Sequence, residues 1–399
     1  MPELPEVETI ARDLRPLVSG RVIVTARTDW PRIVAHPDPE AFVRGLPGRR
    51  ILGVERRAKW LLLDLDGGSV LAIQVMMTGQ LFVVPADAPA DRHVHVAIDL
   101  DDGHQLRLRD MRKFARVGLY RRDEAGRVVR DSGPVRDSGG VVRASGPVRA
   151  GDATAAGDRD TDAPDRIPGI DRRHSRDPDD VFARHGPEPL APEFTLARFR
   201  ERLRARRGRL KPLLLDQSFV AGVGNIYADE ALWRARLHPL RTAATLRPDD
   251  ERRLYRSLLD VLAEAVERRG SSVDDYTAPE GDGEMQDHLQ AYQRTGLPCL
   301  RCGRPMRRIT VGQRGTHFCS WCQRLPAADR PGAASLLARQ HDRGQSGSRR
   351  GPRWTELAGE GTLGLTVSEA ALAVARARAE RARRAAETRR RNARAGARG

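Results

Sequence analysis

Four cysteines, a proline at position 2 and three isolated lysines are the places where this 399-residue chain could do chemistry. Cys299-x-x-Cys302 and Cys319-x-x-Cys322 are its only cysteines, and sixteen residues separate the two pairs. Two such knuckles suit one tetrahedral zinc ion held by four thiolates. Four protein ligands leave no open coordination position, so the metal would be structural. Redox dithiols or disulfides are the other use of the same pattern. Arg301, Arg304, Arg307, Arg308, Arg314 and Arg324 crowd this module at 291–326, a charge density that suits nucleic acid.

Pro2 and Glu3 stand beside Pro5, Glu6 and Glu8. If Met1 is removed, Pro2 becomes a free secondary amine. An α-amine titrates near pH ~8, so a usable fraction is neutral and nucleophilic at about pH 7. Glu3 beside it could serve as acid or base. The same residues also make an ordinary helix start, with Pro and Glu in the first turn. Lys59, Lys113 and Lys211 are the three lysines among 70 basic residues, so Arg carries nearly all the positive charge. Arg stays protonated, whereas Lys can release a proton when its environment shifts it. A retained Lys therefore either has such a task or survives by chance. In Gln217–Glu230 a Gly-containing turn leads into a helix starting at Asn225. Its free N–H groups could take a phosphate, or the glycines are turn residues and nothing more.

These groups need elements to position them. Residues 1–120 read as a mostly β domain opened by one helix, with Val7, Ile10, Leu14 and Leu17 as its apolar stripe and Gly20 as its stop. His93–Leu100 and Gln105–Arg109 alternate around Asp101-Asp102-Gly103, a hairpin signal. Residues 121–181 contain no Phe, Trp, Tyr, Leu or Met, and 128–140 nearly repeats as 141–150. Such a stretch cannot bury enough apolar area to offset chain entropy, which predicts a disordered insertion at 121–184. Helices are predicted at 195–206, 211–217, 225–235 and 248–269 within a domain at 185–290. The tail, 327–399, reads as loop at first and then as an Ala/Arg helix pattern, with ten Arg and three Glu after Ser368.

A net charge of +16 and a mean hydropathy of -0.55 point to a solvated protein with a polyanionic partner. No apolar run is long enough to cross a membrane, and MPELPEVETI lacks the basic start and apolar core of a secretory signal. The expected location is the cytoplasm, in association with the chromosome.

MPELPEVET, Arg57–Trp60, Met77-Thr78-Gly79, Asp110–Phe114, Gly186–Leu190, Val220–Glu230 and the four-cysteine module occur in one order. Together they resemble formamidopyrimidine-DNA glycosylase over roughly 1–120 and 185–326. The resemblance implies an α+β multidomain fold: an N-terminal β-sandwich with a helix, a helix-two-turn-helix domain and a zinc hairpin, with damaged double-stranded DNA bound between them by a monomer. It implies a bifunctional enzyme that excises oxidised purines and cuts the strand by β,δ-elimination. Pro2 would attack C1′, Glu3 would assist loss of the base, Lys59 would work with them, and Arg314 would grip the phosphate beside the lesion. His93, Arg206, Lys211 and Asn225 match phosphate or lesion contacts. Met77, Arg112 and Phe114 match the trio that fills the gap left by the everted base, whose unstacking costs a few kcal/mol. Cys299, Cys302, Cys319 and Cys322 would hold one structural Zn2+.

Departures from the family pattern are Gln74 for His, Met76 for Gly and Ala115 for Gly. They bear on base preference more than on backbone chemistry. The alternatives are an endonuclease VIII-like enzyme for oxidised pyrimidines, or a DNA-binding relative that has lost its chemistry.

Overall fold

The computed structural model describes residues 2–130, 179–271 and 283–343, with side chains as far as 337 in its last helix. The disorder expected at the centre of the insertion and the Ala/Arg helix expected near the C-terminus lie outside these residues.

The opening helix, α1 (Leu4–Val18), starts with the Glu3 N–H donating back to the Glu6 carboxylate at 2.8 Å. Val7, Ile10 and Leu14 are buried as expected, each worth about 1.5–3 kcal/mol of apolar burial. Leu17 is 41% exposed, and Val18 is buried in its place. The stripe continues by a step of four from Leu14, a spacing as helical as the step of three that the sequence suggested.

Ten strands follow: β1 (Ile23–Thr28), β2 (Val34–His36), β3 (Ile51–Arg57), β4 (Trp60–Leu65), β5 (Ser69–Gln74), β6 (Gly79–Pro85), β7 (Val94–Leu100), β8 (His104–Asp110), β9 (Arg116–Arg122) and β10 (Val128–Val129). They form two sheets, ordered β1-β7-β8-β6 and β10-β9-β5-β4-β3, with β2 added in parallel to β9. The expected hairpin is β7–β8, and Gly103 supplies the positive φ of its turn. Ile51, Leu63 and Ile73 from one sheet meet Val96, Ile98 and Leu108 from the other, and α1 packs on the same core. The short helix α2 (Pro39–Arg44) adds Phe42 to it.

The edges of the insertion belong to this domain. Val128 and Phe182 are buried together with Leu62 and Tyr120, and the Arg130 N–H donates to the Asp179 carbonyl at 2.9 Å. The sequence hid this because a single Phe182 lies just beyond the aromatic-free stretch.

The helical domain contains α3 (Leu196–Arg204), α4 (Leu210–Leu215), α5 (Asn225–Arg234) and α6 (Pro248–Glu267), close to the predicted spans. Phe199, Leu214, Tyr227 and Leu258 share its core. Strands β11 (Arg307–Val311) and β12 (Arg314–Phe318) form the C-terminal hairpin. Gly312 and Gln313 both have positive φ, the requirement of a tight two-residue turn, and they deliver Arg314 at its tip. The tail opens as a helix, not as the expected loop. In α7 (Arg330–Arg343), Ala333 is buried and Leu336 and Leu337 pack on Ile309, Val311 and Phe318.

Candidate active site

The N-terminus of α1 is pinned to the turn before α5. The Leu4 N–H donates to the Gly222 carbonyl at 2.9 Å, and Gly222 has φ +82°, a conformation that favours glycine. The buried Glu3 carboxylate accepts the backbone N–H groups of Gly224 at 2.7 Å and Ile226 at 2.8 Å. It therefore occupies the positive end of α5, where a helix favours an anion. A Cβ on Gly224 would lie 2.3 Å from the Glu3 carboxyl carbon, so only glycine fits there. Glu6 braces this arm: it accepts the N–H of Glu3 at 2.8 Å, the hydroxyl of Tyr227 at 2.5 Å and the N–H of Ser271 at 2.8 Å.

Pro2, Glu3, Lys59, Met77, Asn225 and Arg314 line one cavity of about 430 Å³, which Gln74, Met76 and Tyr292 help to close. Burial raises the Glu3 carboxyl above its ordinary value, and the Lys59 charge only partly offsets this. Burial likewise lowers the Lys59 ammonium, against the pull of Glu3 and Glu6. The two groups are thus drawn toward each other in proton affinity, a poise that suits proton transfer.

Lys59 sits in the two-residue turn between β3 and β4, where Ala58 takes φ +53°. Glu188 clamps that turn. Its carboxylate accepts from Arg56, Arg57 and the Ala58 N–H, each at 2.6 Å. Burial would raise the Glu188 carboxyl, but Arg56 and these hydrogen bonds outweigh it and hold it below its ordinary value.

Met77 lies on the loop before β6, while Arg112 and Phe114 lie on the loop after β8. Phe114 is 42% exposed, with the Arg112 guanidinium 4.9 Å from its ring centre. Buried Asp110 joins the two loops. It accepts from the Thr78 hydroxyl at 2.5 Å and from the N–H groups of Phe114 and Ala115, each at 2.7 Å. The three residues expected to fill a vacated base stack are therefore held by one carboxylate. Met76 has φ +56°, unusual for a bulky side chain.

Asn225 donates its side-chain amide to the Gly315 carbonyl at 3.1 Å, next to Arg314. His93 and Arg206 lie outside the cavity lining, His93 just before β7 and Arg206 just after α3. Lys211, expected to touch DNA, does not reach a surface. Its ammonium is fully buried, donating to Asp229 at 2.6 Å and to the Asn225 carbonyl at 2.9 Å. An ammonium paired this deeply orients the start of α5, with two of its three donors directed at Asp229 and the Asn225 carbonyl.

The ligand atoms of Cys299, Cys302, Cys319 and Cys322 all lie within 4.8 Å of one another, and none of the four is in a disulfide. Zinc–sulfur bonds of about 2.3 Å in a tetrahedron place sulfurs roughly 3.8 Å apart, so the quartet fits a zinc ion.

Residues 1–117 match the formamidopyrimidine-DNA glycosylase N-terminal domain, 185–277 its H2TH domain, and 296–325 a zinc finger found in FPG and IleRS. A formamidopyrimidine-DNA glycosylase of Roseiflexus sp. (strain RS-1) is 42% identical over 81% of this chain and 100% of its own length. The chain belongs to the formamidopyrimidine-DNA glycosylase family. A Lactococcus lactis FPG mutant in complex with Fapy-dG-containing DNA superposes with a TM-score of 0.64 at 32% identity, covering 81% of this chain and 100% of that one. The Lactococcus lactis Fpg in complex with DNA containing an abasic site gives 0.63 at 32% identity, covering 81% and 99%.

Within this glycosylase framework, sequence reasoning missed the residues that hold others in place: Glu6, Asp110, Glu188 and Asp229. Each pairs with groups far along the chain or on another loop, and no local pattern marks such pairs. All four lie within motifs visible in the sequence, MPELPEVET, Asp110–Phe114, Gly186–Leu190 and Val220–Glu230, but a motif does not say what its acidic residue pairs with. Among the described residues no helix is long and apolar enough to cross a membrane.

Proposed function

We propose that this family member is a bifunctional DNA glycosylase and abasic-site lyase for oxidised purines, such as 8-oxoguanine and formamidopyrimidines. The Pro2 amine attacks C1′ of the everted nucleotide, and the bond from C1′ to the base breaks. Glu3 supplies the proton that the departing base requires. The C1′–O4′ bond then opens, O4′ taking a proton, and the iminium left between Pro2 and C1′ acidifies the C2′ proton. Its removal expels the 3′ phosphate, and a second elimination expels the 5′ phosphate, with Arg314 holding the charge that leaves. Lys59 moves protons beside Glu3. The observation that carries this reading is the Glu3 carboxyl, held at the N-terminus of α5 in the cavity that also contains Pro2, Lys59 and Arg314.

Asn225 and Arg314, linked through Gly315, suit one phosphate beside the lesion. His93 and Arg206 are assigned to flanking backbone. Met77, Arg112 and Phe114 fill the vacated stack; exposed Phe114 on its Asp110-braced loop favours this over a core role. One zinc ion on the four cysteines keeps the hairpin folded and takes no part in the chemistry. The protein acts as a cytoplasmic, chromosome-associated monomer on damaged duplex DNA.

Nicking of duplexes containing 8-oxoguanine, thymine glycol or an abasic site tests the reading. Efficient cutting at 8-oxoguanine and at the abasic site supports it. Preference for thymine glycol would favour the oxidised-pyrimidine alternative, and no cutting of any duplex would leave a binding protein only.

A further inference from the structure

The zinc module has a second face, at the end of the hairpin away from Arg314. Arg307 pairs with Phe318 in the register, whereas Arg314 sits at the turn. Between the hairpin and α7 lies a groove of about 610 Å³. Phe318, Leu325 and Leu337 supply its apolar lining, and Trp321, Arg307 and Arg324 its polar and aromatic part. Trp321 is 47% exposed although two guanidiniums lie over its ring, those of Arg304 at 3.6 Å and Arg324 at 4.3 Å from its centre. Among the described residues no carboxylate pairs with Arg304, Arg307 or Arg324. An apolar lining with unpaired cations fits a segment that is apolar and acidic.

The chain carries one. From Trp354 to Ala375 there is no Lys or Arg, in a sequence with 70 of them. The same stretch contains Glu356, Glu360 and Glu369, and Trp354, Leu357, Leu363 and Leu365 supply apolar groups. Arg376 then opens the Arg-rich end. Geometry permits its return. Leu337 lies six residues before the end of α7, about 9 Å at the helical rise. Ten further residues, 344–353, span up to roughly 35 Å. A tethered segment also gains an effective concentration in the ~mM range, so modest contacts suffice.

We propose that residues 354–367 of this chain dock in the groove between the zinc hairpin and α7. Trp354 and Leu357 meet the Phe318, Leu325 and Leu337 lining, and Glu356 and Glu360 meet Arg307 and Arg324. Docking there fixes the Arg-rich end to the same module that presents Arg314.

Photo-cross-linking of the full-length protein tests this, with Trp354→benzoylphenylalanine as the probe and mass spectrometry to locate the adduct. The expected adduct joins position 354 to Trp321, Leu325 or Leu337 within one molecule, at a yield independent of dilution. Glu356→Lys with Glu360→Lys should lower that yield at least about five-fold. Adding Arg307→Glu and Arg324→Glu to that double variant should restore it. No adduct in the groove overturns the proposal. So does an adduct whose yield falls on dilution, which would mean a second copy, or one seen only with duplex DNA present. An intramolecular adduct that ignores both charge reversals overturns the assigned contacts.

Discussion

Glu188 accepts the backbone N–H of Ala58 at 2.6 Å, so the segment leading into the helical domain fixes the turn that carries Lys59. The same carboxylate pairs with Arg56 and Arg57 at 2.6 Å. Glu188→Ala leaves the Arg57 guanidinium without a carboxylate partner beside Lys59, while Arg56 keeps Glu8 at 3.0 Å. Breaking such a pair from one side costs about 2–4 kcal/mol. The expected outcome is a clear drop in thermal midpoint, with nicking of abasic DNA slowed by roughly ten-fold through loss of the Lys59 position. An unchanged midpoint and rate would show that the clamp is dispensable.

The raised Glu3 carboxyl has a pH signature. The protonated form delivers the proton to the leaving base and is populated below the folded-state pKa. Because burial raises that pKa, single-turnover base excision should decline on the alkaline side at a pH above the ordinary carboxylate value of about 4.3. Glu3→Gln should reduce excision by at least ~100-fold yet keep part of the cutting at a pre-formed abasic site, where the base is already gone. Equal losses on both substrates would place the essential role of Glu3 in a step after base loss and not in proton delivery to the base.

Arg130 and Asp179 are hydrogen-bonded across the insertion, so its two ends already touch. Deleting 131–178 and joining these residues should leave the β10 edge intact. Nicking of abasic DNA should stay within a few fold of the full chain, with little change in thermal midpoint. A deletion extended through Val128 or Phe182 should be destabilising, since both side chains are buried against Leu62 and Tyr120. Lost activity in the shorter deletion, with the fold intact, would assign the insertion a role in DNA engagement.

Cys319→Ser should lose the metal and, with it, DNA affinity, because a thiolate quartet couples zinc binding to folding of the hairpin that presents Arg314. Metal analysis is expected to find one zinc per chain in the parent protein and a loss of it in the variant. Tight binding by a zinc-free protein would show that the hairpin holds its shape without the ion.

Much of this molecule was legible from its residues. The cysteine spacing placed the zinc module, and the alternation around Gly103 placed the β7–β8 hairpin. Pro2, Glu3, Lys59, Met77, Asn225 and Arg314 do share a cavity. Lys211 shows the limit: a lysine near a glycine-containing turn reads the same whether its ammonium faces a ligand or a buried Asp229, its partner here. The residues that hold the site were out of reach for a related reason. Glu188 lies about 130 residues from the arginines it pairs, and α7 looked like loop because its apolar positions are few and are satisfied only by the hairpin beneath.

Reduction by borohydride during turnover tests the central claim most directly. An iminium between Pro2 and C1′ is reducible, so borohydride should lock the full-length protein to duplex DNA bearing 8-oxoguanine or an abasic site. Peptide mapping should place the adduct on Pro2, and Pro2→Gly or a blocked N-terminus should reduce its yield severely. An adduct mapped to Lys59 with Pro2 intact, or strand cutting with no trappable adduct at all, would contradict the account.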